Sequence, residues 1–284
     1  MLRKASFVAF FGVLLFHGNV PAGDLEVRDI SFPPDEIKLL VINADLAAGT
    51  FLIRSDDADE IFQAEVEYDP RRVEVFAEYE REGSTGYLDI GSDVNWRKNI
   101  NTDDNRWIAV LSRKYVTELR ADLGACETDL ELGGIPIVHI DLDIGAAAGR
   151  VSFSEPNPEI AERILIDAGA AEFEGENLGN ANFERFTFDG GVGSFELDFS
   201  GEYSRRCQAK VSIGLGKAKI YIPRGLPVRI DAEDNFLSSV DFKSRGRYEI
   251  DDDYFESDDY RESDVGLELE IEVGLGSVDV IWTK

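Results

Sequence analysis

The sequence predicts an all-β protein: a single-stack β-solenoid of about seven coils with an N-terminal β cap. Three observations support this fold class. A short phrase recurs seven times along the chain, apolar and polar residues alternate on both sides of it, and a glycine or other small residue marks its centre. Beyond the N-terminus, the sequence shows no convincing amphipathic helix.

Each copy of the phrase contains a strand, a small residue, a second small residue two positions later, and another strand. The first small residue serves as the marker, and the seven markers are Ala47, Gly124, Gly145, Gly169, Gly191, Gly214 and Gly274. The five central markers are 21 to 24 residues apart, a regularity typical of a solenoid in which each copy is one coil. Glycine at the marker allows a sharp turn and a close approach of neighbouring coils.

The segments that flank the markers have the two-residue period of half-buried strands. In 138–144, four aliphatic residues alternate with His139, Asp141 and Asp143, and 267–273 repeats the pattern with glutamates. Turn-forming residues such as those in 155–158 and 223–227 separate the copies.

The interruptions of the repeat divide the chain into five parts. We expect a signal peptide, a first coil with an N-terminal β-cap subdomain, the solenoid repeats, an acidic insertion loop and a terminal coil. Their predicted bounds are 1–22, 23–117, 118–230, 231–264 and 265–284. A cap is expected because an open strand at the end of a stack invites edge-to-edge aggregation.

The N-terminus predicts export. Arg3 and Lys4 precede an apolar run that is too short to span a bilayer, and Ala22 ends a small-residue cleavage site. We expect no integral membrane span after signal cleavage and a location in the periplasm or at the cell surface. The formal net charge of −28 argues against nucleic acid and anionic membranes as partners, because both require basic surface.

Several of these phrases resemble the toastrack-type family of bacterial envelope proteins. That family includes domains named putative adhesins and the extracytoplasmic domain of cell-wall-antibiotic-response proteins. The phrases that carry the resemblance lie at 122–125, 130–134, 188–193, 222–225 and 273–278. The resemblance covers roughly 40–284 and implies a β-solenoid at the cell envelope, in some relatives linked to sensing of envelope stress. It supplies no established catalytic residues.

An acidic residue stands two positions before six of the seven markers, on the outward side of its strand. In a regular stack these residues would form a column at steps of about 4.8 Å. One hypothesis is a calcium column that bridges adjacent coils, with Asp122, Asp143, Asp167 and Asp189 as ligands, because Ca²⁺ prefers several oxygen ligands. The alternative is a solvated acidic face in which aspartate assists the turn.

No catalytic constellation stands out. His139 is the only histidine after the signal, and no Gly-x-Ser-x-Gly elbow accompanies it. Cys126 and Cys207 are too few for a structural zinc site, and their predicted separation by several coils disfavours a disulfide. The acidic segment 251–262 lacks the spacing of an EF-hand loop.

The function expected from the sequence is a non-catalytic, exported cell-envelope protein with a binding, adhesin-like or scaffolding role. Its partner would be an envelope protein or a glycan, and no cofactor is expected unless Ca²⁺ binds. Two alternatives stay open: a polysaccharide-acting enzyme on a β-solenoid and a Ca²⁺-stabilised structural adhesin. A groove with clustered basic and acidic side chains would favour the enzyme, and the sequence shows no basic cluster.

Overall fold

The computed structural model describes residues 8–10, 25–94, 105–146, 148–233, 237–243 and 254–283 and confirms the predicted all-β class. The strands are β1 (Val8–Phe10), β2 (Glu26–Phe32), β3 (Leu39–Asp56), β4 (Phe62–Tyr68), β5 (Val73–Glu82), β6 (Thr85–Val94), β7 (Asn105–Ser112), β8 (Thr117–Glu131), β9 (Ile137–Ile144), β10 (Ala148–Ser152), β11 (Ala161–Glu176), β12 (Phe183–Asp198), β13 (Arg206–Pro223), β14 (Val228–Glu233), β15 (Ser238–Lys243), β16 (Tyr254–Glu256) and β17 (Gly266–Thr283). A 3-10 helix spans Leu178–Ala181.

The seven marked copies pair in parallel as neighbours in one ladder. Its order is β3, β8, the pair β9 and β10, β11, β12, β13 and β17. We call each step of this ladder a rung. The residues before the marker of each rung form sheet 1, and the residues after it form sheet 2.

The stack continues beyond both end copies, which corrects the predicted count of about seven coils. β6 and β7 pair in parallel with β3 on one side, and β14 and β15 pair in parallel with β17 on the other. The described part of the ladder therefore has nine rungs. Unlike the predicted linear stack, it places β17 one rung inside its C-terminal end, so the segment 265–284 is not the outermost coil.

The predicted cap and acidic insertion are therefore partly ladder strands. Within 23–117, β6 and β7 form the first rung, and the antiparallel strands β5 and β4 cover its two halves. Within 231–264, the end of β14 and the whole of β15 and β16 form strands in the predicted loop. The two outer rungs, β6 with β7 and β14 with β15, carry no marker in the sequence. Each of them is built from two separate strands rather than from one strand with a marked bend.

The glycine markers allow neighbouring rungs to approach closely at the bend of each strand. A Cβ on Gly169 would lie 2.7 Å from the carbonyl oxygen of Gly145, and a Cβ on Gly145 would lie 2.6 Å from that of Gly124. The same contact recurs at Gly214 and Gly274. Each glycine marker therefore needs glycine, because the backbone of the preceding marker occupies the position of a side chain.

The core lies between sheet 1, sheet 2 and the connections that close each coil. In the central rungs it is filled with phenylalanine: the ring centroids of Phe173 and Phe188 are 5.1 Å apart, and those of Phe188 and Phe195 are 5.3 Å apart. Aromatic pairs at this separation add stability beyond the apolar area that they bury.

Buried asparagine holds the connections of adjacent coils together. The Asn157 amide donates to the carbonyl oxygens of Ile137 and Ala181, and its oxygen accepts from the N–H groups of Ile137 and Glu159. Asn180 likewise donates to the carbonyl of Phe153. These bonds satisfy loop backbone groups that strand pairing does not reach.

The predicted signal peptide 1–22 lies outside the described residues apart from Val8–Phe10, which pairs antiparallel with β5. Residues 244–253, which include part of the acidic segment, also lie outside them. In the described part of the chain, no helix is long and apolar enough to cross a membrane.

The glycine contact generates a stability prediction. We expect Gly169→Ala to lower the free energy of unfolding by roughly 1–3 kcal/mol, because the added methyl forces two backbones apart. The measurement is thermal unfolding, in which we expect Tm to fall by several degrees. Ala170→Ser, at the exposed neighbouring position, is the control and should leave Tm unchanged; equal Tm values for both variants would contradict the close-approach explanation.

Candidate functional site

The acidic residues before the markers lie in register along sheet 1. Asp45 pairs with Asp122, Asp122 with Asp143, Asp143 with Asp167, and Asp167 with Asp189. Ser212 and Glu272 continue the line in the next two rungs. We call these seven residues the carboxylate column. The structure thus places the four predicted calcium ligands in four successive rungs.

Burial and the charges of neighbouring carboxylates raise the pKa of two residues of the column, Asp45 and Asp167. The pKa of Asp167 is raised, first by burial and then by the charges of Asp189 and Asp143. The pKa of Asp45 is raised by burial and by the charges of Asp122 and Asp93. The column therefore stores unfavourable charge at neutral pH.

Binding of calcium to this column stays a prediction. Among the described residues, no group of three or more histidine, cysteine, aspartate or glutamate side chains is arranged to hold a metal ion. Outward side chains on straight parallel strands meet mainly in pairs along the column, whereas Ca²⁺ takes six to eight oxygen ligands. Residues 251–253 of the acidic segment lie outside the described part of the chain.

The C-terminal end of the column differs because a lysine neutralises it. Lys210 Nζ lies 2.5 Å from Glu272 Oε1 and 2.8 Å from Glu270 Oε1. Hydrogen bonding to Glu270 and Glu272 raises the pKa of Lys210, and the bond from Lys210 lowers the pKa of Glu272 against the opposing effect of burial. Negative charge therefore concentrates in the five aspartates of the column.

A groove of about 550 Å³ crosses sheet 1 beside this lysine. It runs over β12, β13, β17 and β14, and side chains of both charges face it. The charged residues that line it are Arg185, Lys210, Arg229, Asp231, Glu233, Glu268 and Glu270. Gln208 Nε2 donates to Glu268 Oε2 at 3.2 Å, and Arg229 Nη1 lies 3.5 Å from Glu268 Oε1.

The structure also assembles basic residues that the sequence analysis did not recognise as a cluster. His139, Arg163 and Arg185 occupy the same position in three successive rungs, and Gln208 continues that line into the groove. The expectation of no basic cluster is therefore wrong. The signal was present in the sequence, because each of these residues stands six positions before its marker, but it appears only when the copies are aligned.

The cysteines lie inside the fold. Both are free and buried, and burial raises the pKa of the Cys126 thiol to about 12 and that of Cys207 to about 11. Cys126 pairs with Gly49 at the second small position, where its Sγ contacts the carbonyl of Leu46 at 3.3 Å. Both thiols are thus protonated packing groups at neutral pH.

The column generates a prediction that depends on pH. A raised pKa means that Asp167 binds its proton more tightly in the folded state, so wild-type stability is lost as pH rises from about 4 through the folded-state pKa. We expect Asp167→Asn to raise the free energy of unfolding at pH 7 by about 1 kcal/mol, with no gain near pH 3.

Denaturant unfolding at both pH values measures this effect, and Glu162→Gln, an exposed acid on the same strand, is the control. A destabilised Asp167→Asn variant at pH 7 would contradict the repulsion argument. Thermal unfolding with Ca²⁺ and with a chelator tests the calcium hypothesis. If Asp167 is a calcium ligand, Ca²⁺ must raise Tm more in the wild type than in Asp167→Asn.

Comparisons with crystal structures give weak likenesses over nearly the whole chain. A "putative cell adhesion protein" from Clostridium sporogenes has a TM-score of 0.44 and 17% identity, covering 92% of this chain and 100% of that chain. A "putative adhesin" from Bacteroides fragilis has a TM-score of 0.41 and 12% identity, covering 93% of this chain and 100% of that chain. No curated protein matches the chain.

One family model matches more than half of the sequence. It is Toast_rack_N, described as the N-terminal domain of toast_rack (DUF2154), and the match covers residues 21–174. The matched range begins at the predicted cleavage site and includes the first four marked copies, of which the fourth is on β11. The chain therefore belongs to the toast_rack family.

Proposed function

We propose that the protein is a non-catalytic, exported component of the bacterial cell envelope that binds or scaffolds a partner through sheet 1. The ligand, an envelope glycan or an extended protein segment, lies in the groove over β12, β13, β17 and β14. The observation that carries this proposal is the groove itself, which is the place on sheet 1 where Arg185, Lys210 and Arg229 face carboxylates across a concave surface.

The groove suits a ligand with both donors and acceptors. Its guanidinium, ammonium and amide groups donate, its carboxylates accept, and the paired strands hold them at fixed steps of about 4.8 Å. An extended polymer with regularly spaced polar groups can match such steps. A polyanion is disfavoured, because the net charge of −28 repels it.

Two features support the envelope as the location. The N-terminus has the pattern of a secretory signal, with Arg3 and Lys4 before an apolar run. The phrases named above resemble those of toastrack-type bacterial envelope proteins, and the chain belongs to the toast_rack family. The periplasm and the cell surface both agree with these features, and a link to envelope stress would follow from the same location.

A polysaccharide-acting enzyme is the second candidate, and the mixed charge of the groove favours it. Glycoside cleavage requires one carboxylic acid that keeps its proton near neutral pH and a second carboxylate opposite it. The Glu272 carboxylate beside the groove is stabilised in the charged form instead, because the hydrogen bond from Lys210 lowers its pKa. Binding without cleavage is therefore the better supported function.

The test is a binding assay of the chain from residue 23 with purified envelope polysaccharide and with detergent-extracted envelope proteins. We expect Arg185→Glu to weaken capture by roughly tenfold, because it adds repulsion to a groove that already holds four carboxylates. Lys219→Glu is the matched control, since Lys219 lies on sheet 2 and is similarly exposed.

Equal capture by both variants would place the ligand elsewhere on the molecule. Release of soluble sugar from the polysaccharide by the wild-type protein would overturn the non-catalytic proposal in favour of the enzyme.

A further inference from the structure

The bend between the two sheets carries a line of exposed apolar side chains. In each copy, the residue directly after the marker lies at this bend. It is buried at Ala48, partly buried at Ala125, and exposed at Ala146, Ala170, Val192, Leu215 and Leu275. Val192 pairs with Leu215, and Leu215 pairs with Leu275, so the larger ones form one continuous line.

The outermost rung extends this line. The Leu237 carbonyl accepts a hydrogen bond from the N–H of Gly276 at 3.3 Å, which places Leu237 beside Leu275. We call Val192, Leu215, Leu275 and Leu237 the apolar ridge. Their side chains are 53%, 46%, 45% and 60% exposed, and glycines flank three of them in the sequence.

An exposed ridge of this kind is costly in water. Burial of apolar area is favourable at roughly 25 cal/mol per Å², and the flanking glycines have no side chains to shield the leucines. Contiguous exposed apolar surface, rather than a scattered leucine, marks an interaction site. The ridge therefore needs a partner surface, and the charges beside it restrict what that partner is.

The two sides of the ridge differ in charge. On the sheet 1 side lie Asp189, Ser212 and Glu272 of the carboxylate column. On the sheet 2 side, Ser194, Lys217 and Ser277 form the matching line. On the sheet 1 flank, Asp189 is negative, Ser212 is uncharged and Glu272 is paired with Lys210. The sheet 2 flank carries one positive charge, on Lys217, between two serines.

We propose that the apolar ridge is a self-association surface, and that its occupant is the same ridge of a second copy of this chain. A two-fold axis parallel to the stack opposes each rung to its equivalent and places the acidic flank of one copy against the lysine flank of the other. Lys217 of the second copy then faces Ser212, between Asp189 and Glu272. A two-fold axis perpendicular to the stack would oppose the acidic flanks to each other.

A lipid surface fits this ridge less well. Insertion of the ridge would bring the carboxylate column against the headgroups, and anionic headgroups would repel its aspartates. The ridge spans four rungs, or about 14 Å. Because stable complexes bury roughly 1,200–2,000 Å², the dimer is weak and depends on concentration.

The first experiment is sedimentation equilibrium of the chain from residue 23 between about 10 µM and about 1 mM. We expect a concentration-dependent monomer–dimer equilibrium that Leu215→Glu weakens by roughly tenfold or more. Ile160→Glu is the matched control, since Ile160 is 39% exposed and lies away from the bend. Circular dichroism checks that both variants fold.

A second experiment determines the direction of the two copies. Val192→Cys and Leu237→Cys lie at the two ends of the ridge, three rungs apart, and the natural cysteines are buried. When the two variants are mixed and oxidised, the parallel arrangement gives cross-links between identical positions, whereas the antiparallel arrangement links position 192 to position 237.

A monomer at every concentration would overturn the proposal, as would a dimer that Leu215→Glu leaves unchanged or a predominance of 192–237 cross-links. Binding of wild-type protein, but not of Leu215→Glu, to neutral phosphatidylcholine vesicles would assign the ridge to lipid instead. None of these readouts involves the groove on sheet 1, so this test is independent of the proposed function.

Discussion

The close approach of backbones at the glycine bend is the constraint on which the rest of the structure depends. At Gly145, Gly169, Gly214 and Gly274, the carbonyl oxygen of the preceding marker lies where a Cβ would be. This contact keeps successive rungs in one register, so a residue at a given distance from one marker lies beside its counterparts in the next rungs. The carboxylate column, the basic line and the apolar ridge are three consequences of that register.

The register also has a cost, because it brings equal charges together. Asp143, Asp167 and Asp189 stand in adjacent rungs, and the pKa of Asp167 is raised by burial and by its neighbours. A parallel stack pairs like positions, so any charge repeated at one position is repelled along its length. The chain relieves this repulsion near its C-terminal end, where Ser212 interrupts the column and Lys210 neutralises Glu272. The groove lies at that end.

The ends of the stack follow a different rule from its middle. At each end the marked copy is inside, and a rung made of two separate strands lies outside it: β6 with β7, and β14 with β15. Antiparallel strands then cover β6, β7 and β14. This arrangement pairs the edges of the end copies and reduces the exposed strand edge that favours aggregation.

The sequence by itself determined the strand class, the seven copies and the register of the acidic residues, because alternation and glycine spacing are local properties of the chain. It missed the two outer rungs, since β6, β7, β14 and β15 bear no marker and their pairing joins segments distant in the sequence. It also missed the groove. Arg185 and Lys210 lie in different copies and Arg229 lies in none of them, and only the parallel pairing of β12, β13, β17 and β14 brings the three together. Tertiary structure decided the site because a groove depends on which rungs are neighbours. Here β17, the last strand of the chain, lies between β13 and β14 and so sets the order of the rungs.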